Sequence, residues 1–213
     1  MEAPTPSVLA RSVDGYLSAE AAAERFSGVV LIGQQGHVVF EAGYGYANQA
    51  AGVPNTPQTR FCIGSVTKPF TAAAILQLQE RGKLRLSDPI AAYLPDCPPA
   101  WRTITIEQLL MHTAGLDDYF YLPAFDAIMG QAATPRGLMS LFRDRPLNSS
   151  PGERFAYSNS GYVLLGQIIE QVSGESYGQY LTSNILQPLG LGATTYGRGT
   201  LPADMATGYA VAW

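Results

Sequence analysis

Ser65 and Lys68 stand three residues apart inside Phe61-Cys62-Ile63-Gly64-Ser65-Val66-Thr67-Lys68-Pro69-Phe70. Residues three apart on a helix share a face, so this hydroxyl and this amine can meet. A serine hydroxyl is a weak nucleophile until a base takes its proton. Lysine is a base only when its amine is neutral, and burial disfavours the charged form. A helix N-terminus also disfavours a cation and favours developing negative charge. The pair therefore points to nucleophilic catalysis through a covalent intermediate. Taken alone, Ser-x-x-Lys also reads as an N-cap serine followed by a solvated lysine, so the rest of the chain has to decide.

The element that must carry the pair is a helix. Pro69 suits a first helical turn, and Gly82 is a natural stop. Between them Phe70, Ala72, Ala73, Ala74, Ile75, Leu76 and Leu78 leave little polar face, which predicts a core helix buried nearly all round. Upstream, Ser7 to Ala23 reads as a helix with Leu9, Val13, Tyr16 and Leu17 on one face. Gly28 to Ile32 and His37 to Ala42 read as strands joined at Gln35-Gly36 into a hairpin. A loop rich in Gly, Asn and Pro leads from there to the core helix.

Downstream, Ser87-Asp88-Pro89 predicts a short helix ending near Leu94. Thr105 and Gln108 fit a capping box for a helix running to Gly115. Thr134-Pro135 reads as N-cap and N1 of a helix through Arg143. Ser150-Pro151-Gly152-Glu153 is a turn. Helices follow from about Ser160 to Val172, stopped by Gly174, and from about Ser176 to Leu186. Helices thus dominate the middle and the end, behind one early hairpin.

The totals exclude several classes. The chain has 213 residues, 46% apolar and 14% charged, with a net charge of −4, which is a globular balance. The 13 basic residues form no run, which argues against nucleic acid and anionic membrane as partners. Cys62 and Cys97 make neither a disulfide framework nor a zinc site. No apolar stretch is long enough for a membrane span. Met1-Glu2-Ala3-Pro4 does not open a signal peptide, which predicts a cytoplasmic protein or one whose leader has been removed. No metal or other cofactor is implied.

Other polar groups compete for a role. His112 lies near Gly115, where an imidazole can bond the last carbonyls of a helix, and reads as structural. His37 falls on a hairpin strand and should be solvated. Asp117-Asp118 has no His or Cys beside it, and a loop after a helix accounts for the pair. Tyr44 and Tyr46 read as packing aromatics, and Cys62 as a small buried residue.

Three stretches coincide in order: Ile63-Gly64-Ser65-Val66-Thr67-Lys68, Leu109-Leu110-Met111-His112-Thr113-Ala114-Gly115-Leu116, and Pro151-Gly152-Glu153-Arg154-Phe155-Ala156-Tyr157-Ser158-Asn159-Ser160-Gly161-Tyr162. Together they resemble the β-lactamase-related serine hydrolases: class C β-lactamases, D-alanyl-D-alanine carboxypeptidases and class C-like esterases. The similarity runs from the hairpin to Pro188-Leu189-Gly190-Leu191. It implies an α+β fold of the β-lactamase/penicillin-binding-protein type, a helical region plus an antiparallel sheet. The expected organisation is one β-lactamase-related domain over 1–213, with an N-terminal helix and hairpin in 1–48 and the core helix and helical region in 61–190. By position the resemblance implies that Ser65 is acylated, that Lys68 is its partner amine, and that Tyr157 places a phenol beside Ser65. Either Lys68 or Tyr157 could be the base. Asn159 would bond the acyl side chain of the substrate. Read without the resemblance, Tyr157-Ser158-Asn159 is a turn before a helix, with Asn159 or Ser160 as N-cap.

One departure stands out. The family's third motif, Lys-Thr-Gly or His-x-Gly on a late strand that supplies a second oxyanion N–H, is absent, and the lysines are Lys68 and Lys83. Losing one oxyanion donor typically costs about 10²–10³ in rate. The chain is accordingly expected to be an incomplete domain lacking the C-terminal strands. Gly28–Ile32 should then be an open sheet edge able to pair with another copy. The function expected is a serine hydrolase forming an acyl-enzyme with a small ester, peptide amide or β-lactam. The alternative is a binding or sensor module of the same fold that at most acylates slowly.

Overall fold

Helix α1 covers Val8–Ala22, and a β-hairpin follows it. The computed structural model describes residues 8–129, 131, 134–197 and 204–209. The Met1-Glu2-Ala3-Pro4 opening, Ser7 and Trp213 lie outside the described residues. Strands β1 (Gly28–Gln34) and β2 (His37–Tyr44) pair antiparallel, Gly28 opposite Tyr44, with a bulge between Ile32 and Gly33. Gln35 and Gly36 turn the hairpin with φ of 51° and 78°. Positive φ at both turn residues matches the right-handed twist of the two strands. A second antiparallel pair, β3 (Tyr46–Asn48) with β4 (Val53–Pro54), follows.

These elements belong to a first compact unit, residues up to Ile63 together with the described residues 204–209. Tyr44 is its polar anchor. It is buried, packs against Phe26, and donates to Asp14 of α1 at 2.8 Å. Burial and the Asp14 carboxylate push its phenol up to about 12. Tyr46, by contrast, is 53% exposed and packs little. His37 is exposed as expected, but Cys62 is exposed rather than buried.

The second unit runs from Gly64 and holds the remaining helices. A 3-10 turn, Gly64–Val66, leads into α2 (Thr67–Glu80). The helix ends at Gly82, with Lys83 N–H donating to Leu78 C=O and Gly82 N–H to Gln79 C=O, the paired closure that suits a left-handed glycine. Burial is not all round. Thr71, Ala74, Ile75 and Leu78 are buried, while Leu76 is 44% exposed. Alanine favours the helix by propensity as well as by packing, so an Ala-rich sequence overstates burial.

The Ser87–Leu94 stretch is a turn rather than an α-helix, with a 3-10 turn at Ile90–Ala92. The Asp88 carboxylate closes it, accepting from Arg85 N–H at 2.8 Å and Tyr93 Oη at 2.6 Å. Helix α3 (Ile106–Leu110) carries the expected Thr105/Gln108 capping box. It stops at Leu110 instead of running to Gly115. His112 takes φ of 58°, while His112 N–H and Thr113 N–H close on Leu109 and Gln108 C=O. Histidine thus occupies the left-handed position usually given to glycine.

Four helices complete the unit: α4 (Pro123–Asp126), α5 (Pro135–Phe142) capped by Thr134, α6 (Asn159–Ser173) and α7 (Tyr177–Leu181), which continues into a π-helical turn, Thr182–Leu186. Ser158 is the N-cap of α6, one residue before the positions expected, and Gly174 ends it with φ of 75°. Helix α6 is the centre, packed on α2, α3, α5 and α7. Leu164, Leu165, Ile168 and Ile169 on it are fully buried. Each such side chain contributes about 1.5–3 kcal/mol by leaving water. Trp101 and Phe142 stack 5.5 Å apart in the same core. The architecture is therefore α+β, helices with antiparallel strands. No described helix is long and apolar enough to cross a membrane.

Candidate active site

Ser65 lies in the 3-10 turn and Lys68 in the first turn of α2, so the two point to one place. Lys68 Nζ donates to Ser65 Oγ at 3.2 Å. Tyr157 Oη donates to the same Ser65 oxygen at 2.8 Å. Lys68 Nζ also donates to Asn159 Oδ1 at 2.8 Å. The ammonium lies 4.7 Å from the Tyr157 ring centre and 5.4 Å from that of Tyr162. Lys68 and Tyr157, the latter 92 residues from Ser65 in sequence, thus meet at one hydroxyl, and Asn159 joins them through Lys68.

Helix α6 holds Tyr157 and Asn159. Ser158 Oγ accepts from Gly161 N–H at 3.3 Å and fixes the helix start. Tyr157 sits just before it and Asn159 in its first turn. Lys68 foremost, with Ser65 behind it, holds the Tyr157 phenol below the usual tyrosine range. A nearby cation favours the phenolate, and hydrogen bonds to that oxygen add to the effect. The phenol is therefore poised to exchange a proton with Ser65.

His112 grips this segment from behind. Its Nδ1 accepts from Ser158 N–H at 3.1 Å, and its carbonyl accepts from Ala156 N–H at 2.8 Å. The ring stacks on Tyr157 at 4.5 Å and lies 5.1 Å from Tyr162. The imidazole therefore bonds the stretch ahead of α6, not the last carbonyls of α3. Burial, then the Lys68 charge, lowers its pKa. The neutral ring is the form that can accept at Nδ1.

Asp118 had no functional reading in the sequence. It is 8% exposed, and one of its oxygens accepts from both the backbone N–H of Asn159, at 3.2 Å, and its side-chain Nδ2, at 2.9 Å. The other accepts from Phe120 N–H at 3.1 Å. With Nδ2 held by Asp118, the Asn159 oxygen has to face Lys68. Asp117 next door does something else: it pairs with Arg145 and accepts from Asn148. Nothing in the spacing distinguishes the two aspartates, because only the fold buries one of them.

A cavity of about 560 Å³ opens beside Ser65, within the second unit, and Lys68, Tyr157 and Asn159 line it. That is the size of an ordinary small-molecule site. Among the described residues no three His, Cys, Asp or Glu side chains are placed to hold a metal ion.

Penicillin-binding protein 4* of Bacillus subtilis (strain 168) is 34% identical over 183 residues, 84% of this chain and 40% of that protein. The crystal structure of a penicillin-binding protein from Bacillus halodurans superposes with a TM-score of 0.79 at 36% identity, covering 89% of this chain and 60% of that one. EstCE1, a hydrolase with promiscuous acyltransferase activity, gives a TM-score of 0.75 at 32% identity, covering 86% of this chain and 53% of that one. The chain spans 34–40% of the length of the curated relatives it matches. The Beta-lactamase family model matches residues 13–210, and the chain therefore belongs to the β-lactamase family, with penicillin-binding proteins among its relatives.

Proposed function

We propose that this protein hydrolyses a small ester, amide or β-lactam through an acyl-enzyme on Ser65. The observation that carries the reading is the double contact at Ser65 Oγ, 2.8 Å from Tyr157 Oη and 3.2 Å from Lys68 Nζ. Tyr157, as phenolate, takes the Ser65 proton while Oγ bonds the carbonyl carbon. Lys68 stabilises the phenolate in place. The N–H groups of the first turn, which lack intrahelical partners, can donate to the developing oxyanion. When the tetrahedral centre collapses, the bond to the leaving alkoxide or amine breaks, and Tyr157 returns the proton to it. Water then attacks the acyl-enzyme with Tyr157 again as base, releasing the acid and restoring Ser65. Asn159 has a second amide hydrogen free of Asp118 for the acyl group of the substrate.

A rapid-mixing experiment with p-nitrophenyl acetate tests this. The expected trace is a burst of about one p-nitrophenol per chain followed by slow turnover, absent in Ser65→Ala. A linear trace of equal slope in both proteins would refute an acyl-enzyme on this serine. We also propose that the two units act as one domain, because a single family match spans residues 13–210. The same reading has the β1 edge pair with a second copy. Leu31 on β1 is 55% exposed, and β2 is its strand partner among the described residues. Size-exclusion chromatography should show mass rising with concentration, and less so in Leu31→Lys. A monomer at all concentrations would dismiss the pairing.

A further inference from the structure

The cavity beside Ser65 has a second region, away from the reacting atoms, whose chemistry is distinct. One turn beyond Lys68 on α2 stands Thr71, buried, with its hydroxyl 2.6 Å from that of Tyr177 on α7. Thr71 Oγ1 also donates to Thr67 C=O at 3.3 Å. The set is satisfied when Tyr177 donates to Thr71 and Thr71 to Thr67. Both hydroxyl protons are then used within the protein, and the floor offers a ligand no donor. Tyr162 likewise turns its hydroxyl away, donating to Leu110 C=O at 3.2 Å.

Much of the remaining wall is apolar. Leu138 of α5 and Val163 of α6 line the wall. At the mouth Phe120 is 48% exposed and Tyr121 78% exposed. Among the described lining residues Lys68 is the charged one, and it already donates to Ser65 and Asn159. An anionic acyl group placed here would lose its water and gain no matching partner.

Gly166 is the telling position. It lies in the middle of α6 and lines the cavity. Glycine within a helix is destabilising relative to alanine. Yet a Cβ at 166 would meet its nearest atom, Cδ2 of Tyr177, at 3.7 Å, an ordinary contact. Folding alone does not demand glycine there; its effect is to leave room beside the Tyr177 ring.

We propose that the pocket formed by Thr71, Leu138, Val163, Gly166 and Tyr177 is the acyl-group subsite and takes a neutral aromatic or branched aliphatic group. The inference deepens the reading of Ser65 as the acylated residue and rests on it for the word acyl. Its binding half is independent of catalysis. A flat, uncharged ring in this cavity would meet the apolar side chains of Leu138 and Val163 and the Tyr177 ring, and aromatic pairs gain from such offset or edge contact.

The test has two arms. In the first, calorimetry on the Ser65→Ala protein measures the binding of phenylacetamide, acetamide and succinamate. Phenylacetamide should bind at least about tenfold more tightly than either of the others, the scale of selectivity a hydrophobic pocket gives. Gly166→Leu should remove that margin, and Gly166→Ala should reduce it by less. Thermal melting of both variants separates occlusion from misfolding, because the alanine variant has room to fold. Equal binding of all three amides, or an unchanged margin in Gly166→Leu, overturns the subsite. In the second arm, the Ser65-bearing protein should acylate from p-nitrophenyl phenylacetate at least about tenfold faster than from the acetate. Gly166→Leu should bring the two rates together. Selective binding without Ser65-dependent acylation would sink the hydrolase reading and spare the pocket. Acylation without preference would do the reverse.

Discussion

Asp118→Asn is a near-isosteric change at a buried acceptor. The native carboxylate takes three N–H donors, from the Asn159 backbone at 3.2 Å, the Asn159 side chain at 2.9 Å and the Phe120 backbone at 3.1 Å. An amide has one acceptor oxygen and a donor nitrogen. If its oxygen keeps Asn159, its NH₂ faces the Phe120 N–H; turned the other way, it faces two N–H groups. The first arrangement loses less. One charge-assisted bond disappears, contributing about 1.5–3 kcal/mol, so stability should fall by about 2–3 kcal/mol. The bonds to Asn159 survive but weaken when the acceptor becomes neutral. A loss of about 1.4 kcal/mol in holding Asn159 against Lys68 corresponds to about tenfold in acylation rate. The assay is the burst-phase rate with p-nitrophenyl acetate, taken well below a melting temperature measured by circular dichroism. A variant that melts earlier yet acylates at the native rate would refute the reasoning. Asp118 would then support only the Phe120 loop.

Three further outcomes follow from the same geometry. Lys68→Ala and Tyr157→Phe should each slow acylation by about 10²-fold or more, with the double variant little worse than either, because cooperating groups are not additive; additive losses in the burst rate would separate them. Acylation should rise with pH through the lowered Tyr157 pKa, and in Lys68→Ala the residual rising limb should move to higher pH, since Lys68 is the main cause of the lowering; an unmoved limb in the pH–rate profile would assign it elsewhere. His112 is held neutral by burial, so its folded pKa lies below its unfolded one. Its contribution to stability is complete above about pH 6.5 and is lost as pH falls from there toward the folded value, because the unfolded state binds the proton first. Urea denaturation of His112→Asn, which tolerates the same left-handed backbone, should lack that step.

Local signals were legible where the chemistry is local. The Thr105/Gln108 capping box, the Thr134-Pro135 helix start, the hairpin turn at Gln35-Gly36 and the stops at Gly82 and Gly174 each depend on a few adjacent residues. Ser65 and Lys68 could be paired for the same reason. Tyr157 and Asn159 could not, since Tyr157 lies 92 residues from Ser65 and Asn159 lies 91 from Lys68, and only resemblance supplied them. What stayed hidden is burial and direction. Asp118 and Asp117 are neighbours in sequence, yet one is buried against Asn159 and the other pairs with Arg145. His112 reads as a helix-end residue, and its left-handed backbone appears only once α3 has closed at Leu110. The apolar run of α2 suggested burial on every side because composition does not distinguish helix propensity from packing.

The most direct test of the account is to locate the adduct. The protein is treated with a fluorophosphonate, which phosphonylates an activated serine with loss of fluoride, and is then digested and mapped by mass spectrometry. The account predicts a single stoichiometric adduct on Ser65, slowed strongly in Tyr157→Phe and absent in Ser65→Ala. An adduct on any other residue, or equal labelling of Ser65→Ala, would contradict it.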